Sequence, residues 1–121
     1  RQLVTAVKAR YPEAEVLAVG TNSAATNAML KAGADQAATG ENSVAVACRK
    51  ADAIMGPVGI VIADSMLGEI TPRMAVSIGQ SPAKRILIPV NLCDNIVVGV
   101  ADLTMAKRVE SAVDALADLM D

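Results

Sequence analysis

An α/β fold with a mostly parallel sheet follows from three observations in this chain of 121 residues. Short runs rich in Val, Ile and Leu alternate with segments whose apolar residues recur at helical spacing. The strand-like runs are almost continuously apolar, as in strands buried on both faces. Helix start and stop signals fall between them, so the strands are joined by crossover helices in a three-layer arrangement. The length and the 53% apolar content fit one domain spanning residues 1–121.

The first element is an amphipathic helix from Gln2, with Leu3, Val4, Val7 and Tyr11 on one face. Lys8 and Arg10 lie near its C-terminal end, and Pro12 stops it. Residues 15–20 read as a buried strand. Thr21, Asn22 and Ser23 then open a helix that turns Ala25, Ala28, Met29 and Ala32 inward and ends at Gly33. Residues 36–38 form a short strand, and Gly40, Glu41 and Asn42 open a third helix carrying Val44, Ala45, Cys48 and Ala51 on one side. Residues 52–56 make the next strand. Over residues 57–66 the β-branched side chains favour a strand while the Gly-Pro turn favours a helix; a helix is predicted.

Thr71 and Pro72 are a strong helix start, because Thr caps orphan amides and Pro suits the first turn; this helix runs through Ile78 to Gly79. Residues 85–90 follow as a strand, with Pro89 near its end because proline cannot donate to a ladder. The short loop 91–95 would reverse the chain into residues 96–100, which are predicted to pair as an antiparallel edge strand. The last helix carries Val109, Ala112, Val113, Leu116 and Met120 at helical spacing, with Asp102 or Thr104 as its cap.

What the chain lacks narrows its chemistry. It contains no His, Trp or Phe, and Tyr11 is its one aromatic residue. Histidine-based nucleophile activation and His-ligated zinc are therefore excluded. Catalysis would have to use carboxylate, Lys, Cys, Tyr or a cofactor. A net charge of −2 with one aromatic ring disfavours nucleic acid, which calls for a basic face and stacking platforms. The apolar runs fall far short of the roughly 18 residues needed to span a bilayer. Cys48 and Cys93 form no C-x-x-C pair, and a reducing cytoplasm is the expected compartment.

In a Rossmann-like sheet, ligands bind beyond the carboxyl ends of the strands, where strand order reverses. Four loops meet that condition: Thr21, Asn22 and Ser23; Gly40, Glu41 and Asn42; Gly56, Pro57 and Gly59; and Asn91, Cys93 and Asp94. Each also has a plain structural role. Asn22 or Ser23 can serve simply as a helix cap, while hydroxyls and an amide at a helix start can also hold phosphate or ribose. Glu41 suits the helix dipole without any ligand, or could accept ribose hydroxyls or act as a general base. Gly56 and Gly59 flank a rigid proline, which makes a tight turn and also lets backbone approach a ligand. Cys93 reads more simply as a small filler than as a nucleophile, and Cys48 as core. Asp64 and Glu69 read as solvated or capping acids. Arg49, Lys50, Lys84 and Arg85 precede strands, so positive charge is expected at the opposite, amino edge. A phosphate at the carboxyl edge would then depend on helix amides. Phosphoryl transfer, which uses Lys, Arg or metal clamps, is disfavoured.

The ordered motifs Gly20-Thr21-Asn22, Gly40-Glu41-Asn42, Gly56-Pro57-Val58-Gly59-Ile60, Gly68-Glu69-Ile70-Thr71-Pro72 and Ser81-Pro82-Ala83 resemble a small bacterial family of unknown function. The resemblance covers about residues 3–100. It implies a Rossmann-like nucleotide-binding domain with no assigned activity. Members of that family open with a short strand and a glycine-rich loop ahead of the helix that begins here at Gln2. This chain has neither, so no phosphate loop carries over to any of its residues. The usual NAD fingerprint has an acid at the end of its second strand, whereas residues 20–22 are Gly-Thr-Asn. NAD is therefore not favoured, and NADP or another nucleotide stays open. A first strand missing from the sheet centre would leave its two neighbours about 9.6 Å apart with unpaired edges. The expectation is a chain truncated at its N-terminus.

The favoured function is binding of a nucleotide or dinucleotide at the carboxyl edge, with enzymatic status open. The alternative is a non-catalytic sensor or partner-binding module, possible as a homo-oligomer through its many Ala and Met side chains. No metal site and no membrane partner are expected.

Overall fold

The computed structural model describes residues 1–90, 92 and 94–120. Helices and parallel strands alternate as α1 (Gln2–Arg10), β1 (Leu17–Gly20), α2 (Ser23–Lys31), β2 (Gln36–Thr39), α3 (Glu41–Lys50) and β3 (Ala53–Pro57). A 3-10 turn (Val58–Val61), α4 (Pro72–Gly79), β4 (Lys84–Ile88), α5 (Met105–Ala115) and the short α6 (Ala117–Met120) complete the order.

The strands form two parallel pairs. Leu17 to Gly20 register with Gln36 to Thr39 in one pair, and Ala53 to Pro57 with Lys84 to Ile88 in the other. Among the described residues no ladder joins β1 to β3. Helix α1 spans both pairs through its apolar face. Val7 and Tyr11 pack with Ile88, Val109, Val113 and Leu116, together with the half-buried Ala53 and Met55. One turn earlier, Val4 packs with Ala18 and Ala34. Val16 touches both clusters, so the hydrophobic core is continuous beneath α1. Helices α1 and α5 pack on each other, as do α3 and α4.

Local chemistry sets the helix boundaries. Asn22 Oδ1 accepts from the Ala25 amide at 2.9 Å, Thr71 Oγ1 from Met74 at 3.2 Å, and Thr104 Oγ1 from Lys107 at 3.2 Å. Of the two predicted caps for α5, Thr104 is the one used. Gly33 takes φ +118° just past α2, a conformation that costs glycine little. Lys8 Nζ donates to Pro12 O, Ala14 O and Asp35, which ties the end of α1 to the loop before β2. Asp35 in turn accepts from the Val16 amide at 2.7 Å, and that bond, with Lys8 second, holds its carboxyl below the ordinary range.

Two predicted elements differ. The helix expected over residues 57–66 is only the 3-10 turn, because β-branched Val58, Ile60, Val61 and Ile62 resist α-helix. Beyond it Asp64, Met66 and Leu67 take positive φ of 64°, 55° and 55°, which breaks helical hydrogen bonding. The edge strand expected over residues 96–100 does not form. Gly99 turns the chain with φ +77°, and Ile96 and Val98 stand 89% and 87% exposed. The single sheet with an antiparallel edge strand is thus replaced, among the described residues, by two parallel pairs. Among the described residues no helix is long and apolar enough to cross a membrane.

Candidate functional site

The carboxyl ends of β1 and β2 are fastened to each other by Thr26. This buried residue of α2 bonds to the Asn22 carbonyl at 3.0 Å and to Thr39 Oγ1 at 2.7 Å. The close approach requires glycine at position 20, since a Cβ there would lie 2.3 Å from Thr26 Oγ1 and 2.8 Å from its amide nitrogen. Gly40 N also donates to Gly20 O at 3.3 Å, so the two loops lie side by side.

A third segment, residues 64–73, closes against them. Thr21 Oγ1 and Asn22 Nδ2 donate to Glu69 Oε1 at 3.3 and 3.2 Å. At the start of α3, Glu41 Oε2 accepts from Thr71 Oγ1 at 2.5 Å and Oε1 from Arg73 at 3.2 Å. The Thr71 hydroxyl, and then the Arg73 guanidinium, hold the Glu41 carboxyl below the ordinary carboxylate range. The N-termini of α2, α3 and α4 are therefore linked by side chains that bridge one loop to the next.

The segment that supplies Glu69 is pinned from within. Asp64 N donates to Ile70 O at 2.7 Å and Ile70 N to Ser65 O at 3.2 Å. The fully buried Ser65 hydroxyl donates to Gly59 O at 2.5 Å, which occupies a backbone acceptor of the third predicted loop. Ile60, Val44 and Met66 pack beside Ile70 and Met74 and form the apolar floor.

Of the predicted site residues, Thr21, Asn22, Gly40 and Glu41 come together here. Ser23 is the first residue of α2, and Asn42 is an exposed residue in the first turn of α3. Gly56, Pro57 and Gly59 lead into the 3-10 turn, where Ile60 joins them to the same floor. Asn91 and Cys93 lie outside the described residues. Cys48 is buried, and burial pushes its thiol pKa up. Three contributors were missed. The sequence presents Glu69 as a solvated or capping acid and Thr71 only as a cap, and Arg73 brings a positive charge to an edge where none was expected. The run 68–72 among the ordered motifs holds Glu69 and Thr71, while Arg73 lies just beyond it and had no signal of its own.

Two clefts are lined by residues outside this cluster. One of about 510 Å³ runs between α1 and α2 past Thr5, Ala24, Asn27 and Lys31. The other, of about 260 Å³, lies between β4 and α5. No group of three or more His, Cys, Asp or Glu side chains suited to a metal occurs among the described residues.

A family model described as a domain of unknown function, DUF3842, matches residues 1–121. The chain belongs to the DUF3842 family. No curated protein and no solved structure matches it.

Proposed function

We propose that this DUF3842 domain binds a nucleotide or dinucleotide at the carboxyl edge of its parallel strands, in a Rossmann-like arrangement. The observation that carries this reading is the convergence of Thr21, Asn22 and Glu69 with Glu41, Thr71 and Arg73. Parallel strands present their following loops at one edge, and ligands of such folds collect there. Helix N-termini favour anions through free amides and the dipole. Arg73 adds a guanidinium whose side chain is 58% exposed, so a phosphate need not rely on amides alone. NADP and other nucleotides are the cofactor classes that this site would take. The proposed setting is the cytoplasm.

The test is ligand-dependent melting of the protein against a nucleotide panel. A concentration-dependent rise in Tm is expected with at least one nucleotide. No shift with any of them removes the reading.

A partner-binding module is the second reading, and a different observation favours it. Ile96, Val97, Val98, Val100, Leu103 and Met105 are all exposed within one stretch of chain. Nearby, Arg108 Nε is buried without a hydrogen-bond partner among the described residues, while its Nη1 donates to Pro89 O. Mass determination in solution tests whether that stretch joins copies of the chain.

A further inference from the structure

Two carboxylates stand at the carboxyl edge, and their bonding differs. Both oxygens of Glu41 are committed, Oε2 to Thr71 and Oε1 to Arg73. Glu69 spends only Oε1, on Thr21 and Asn22, and its Oε2 makes no hydrogen bond among the described residues. A carboxylate has about four lone-pair sites, so Glu69 keeps acceptor capacity while two donors fix its direction.

We infer that Glu69, rather than Glu41, reads the ligand's sugar by accepting hydrogen bonds from the vicinal hydroxyls of a ribose. The inference rests on the nucleotide reading above and names the ligand class within it. Dinucleotide folds place an acid at the end of their second strand for this purpose. Here β1 ends in Gly-Thr-Asn, and the acid arrives from a segment far along the chain, held against that strand end by Thr21 and Asn22. A free carboxylate oxygen attracts hydroxyl donors and repels a phosphate on the same carbon. The site therefore selects a 2′,3′-diol over a 2′-deoxy or 2′-phosphorylated sugar. This reverses the preference drawn from the strand end alone: NAD-type ligands come before NADP-type ones.

Calorimetric titration of the full chain with AMP, 2′-deoxy-AMP, NAD and NADP tests it. The wild type is expected to bind AMP about tenfold or more tightly than 2′-deoxy-AMP, and NAD more tightly than NADP. Glu69→Gln keeps an oxygen for Thr21 and Asn22 but loses the charge. It should weaken AMP about tenfold and leave 2′-deoxy-AMP nearly unchanged, so that discrimination disappears. Nucleotide binding without sugar discrimination, or discrimination that survives Glu69→Gln, overturns the role of Glu69 and leaves the nucleotide site standing. Absence of binding by all four, together with no melting shift across the nucleotide panel, overturns both.

Discussion

Thr71 Oγ1 donates to Glu41 Oε2 at 2.5 Å and also accepts from the Met74 amide at 3.2 Å. One hydroxyl thus caps α4 and fastens it to the start of α3. Thr71→Ala removes both bonds, and the cap alone is worth about 1 kcal/mol. A loss of about 1–2 kcal/mol in chemical denaturation is expected. An unchanged midpoint would show that neither bond contributes.

Glu41, together with Asp35, gives the fold an acid-sensitive limb. Glu41 and Asp35 both have carboxyl pKa values below their ordinary ones of 4.5 and 3.8. A group lowered in the folded state adds stability above its unfolded pKa and loses it as pH falls through the folded one. Denaturation midpoints measured from pH 7 down to strong acid should therefore fall below about pH 4.5. Glu41→Gln should make that decline shallower. An identical decline in the variant would assign the acid sensitivity to other groups.

Gly20 is expected to tolerate no side chain. In Gly20→Ala the new Cβ meets Thr26 Oγ1 and the Thr26 backbone, and the backbone cannot swing away. Overpacking of this kind costs about 1–3 kcal/mol. A thermal melt as stable as wild type would mean that α2 shifts freely over β1.

Asn22 has two roles that one substitution separates. Its Oδ1 caps α2 and its Nδ2 orients Glu69. Asn22→Ala should cost the fold only about 1 kcal/mol. Nucleotide affinity, measured by titration, should fall by more than that loss accounts for. Equal affinity in the variant removes Asn22 from the site.

The stretch around Val98 provides a contrasting case. With its side chain 87% exposed and no ladder formed, Val98→Lys should change stability by no more than about 0.5 kcal/mol. A larger loss would restore the edge strand that its β-branched composition predicts.

Where sequence reasoning succeeded and failed follows the range of the forces involved. The alternation of helix and strand was legible because apolar spacing reports which faces are buried. The starts of α2, α4 and α5 were legible because Asn22, Thr71 and Thr104 bond to amides three residues on. The segment after β3 was misjudged because its Asp64, Met66 and Leu67 take left-handed angles that these residue types seldom advertise. Residues 96–100 were misjudged because strand propensity needs a partner edge to act on.

By itself, then, the amino-acid sequence determined an α/β chain with capped helices and no histidine chemistry. Tertiary structure alone decided that its strands pair in two sets, and that Glu69 meets Thr21 and Asn22 while Arg73 meets Glu41. The physical reason is separation along the chain: those partners stand 48, 47 and 32 residues apart. No local propensity connects such positions; only the packing of α4 on α3 and the folding of residues 64–70 bring them within hydrogen-bonding distance.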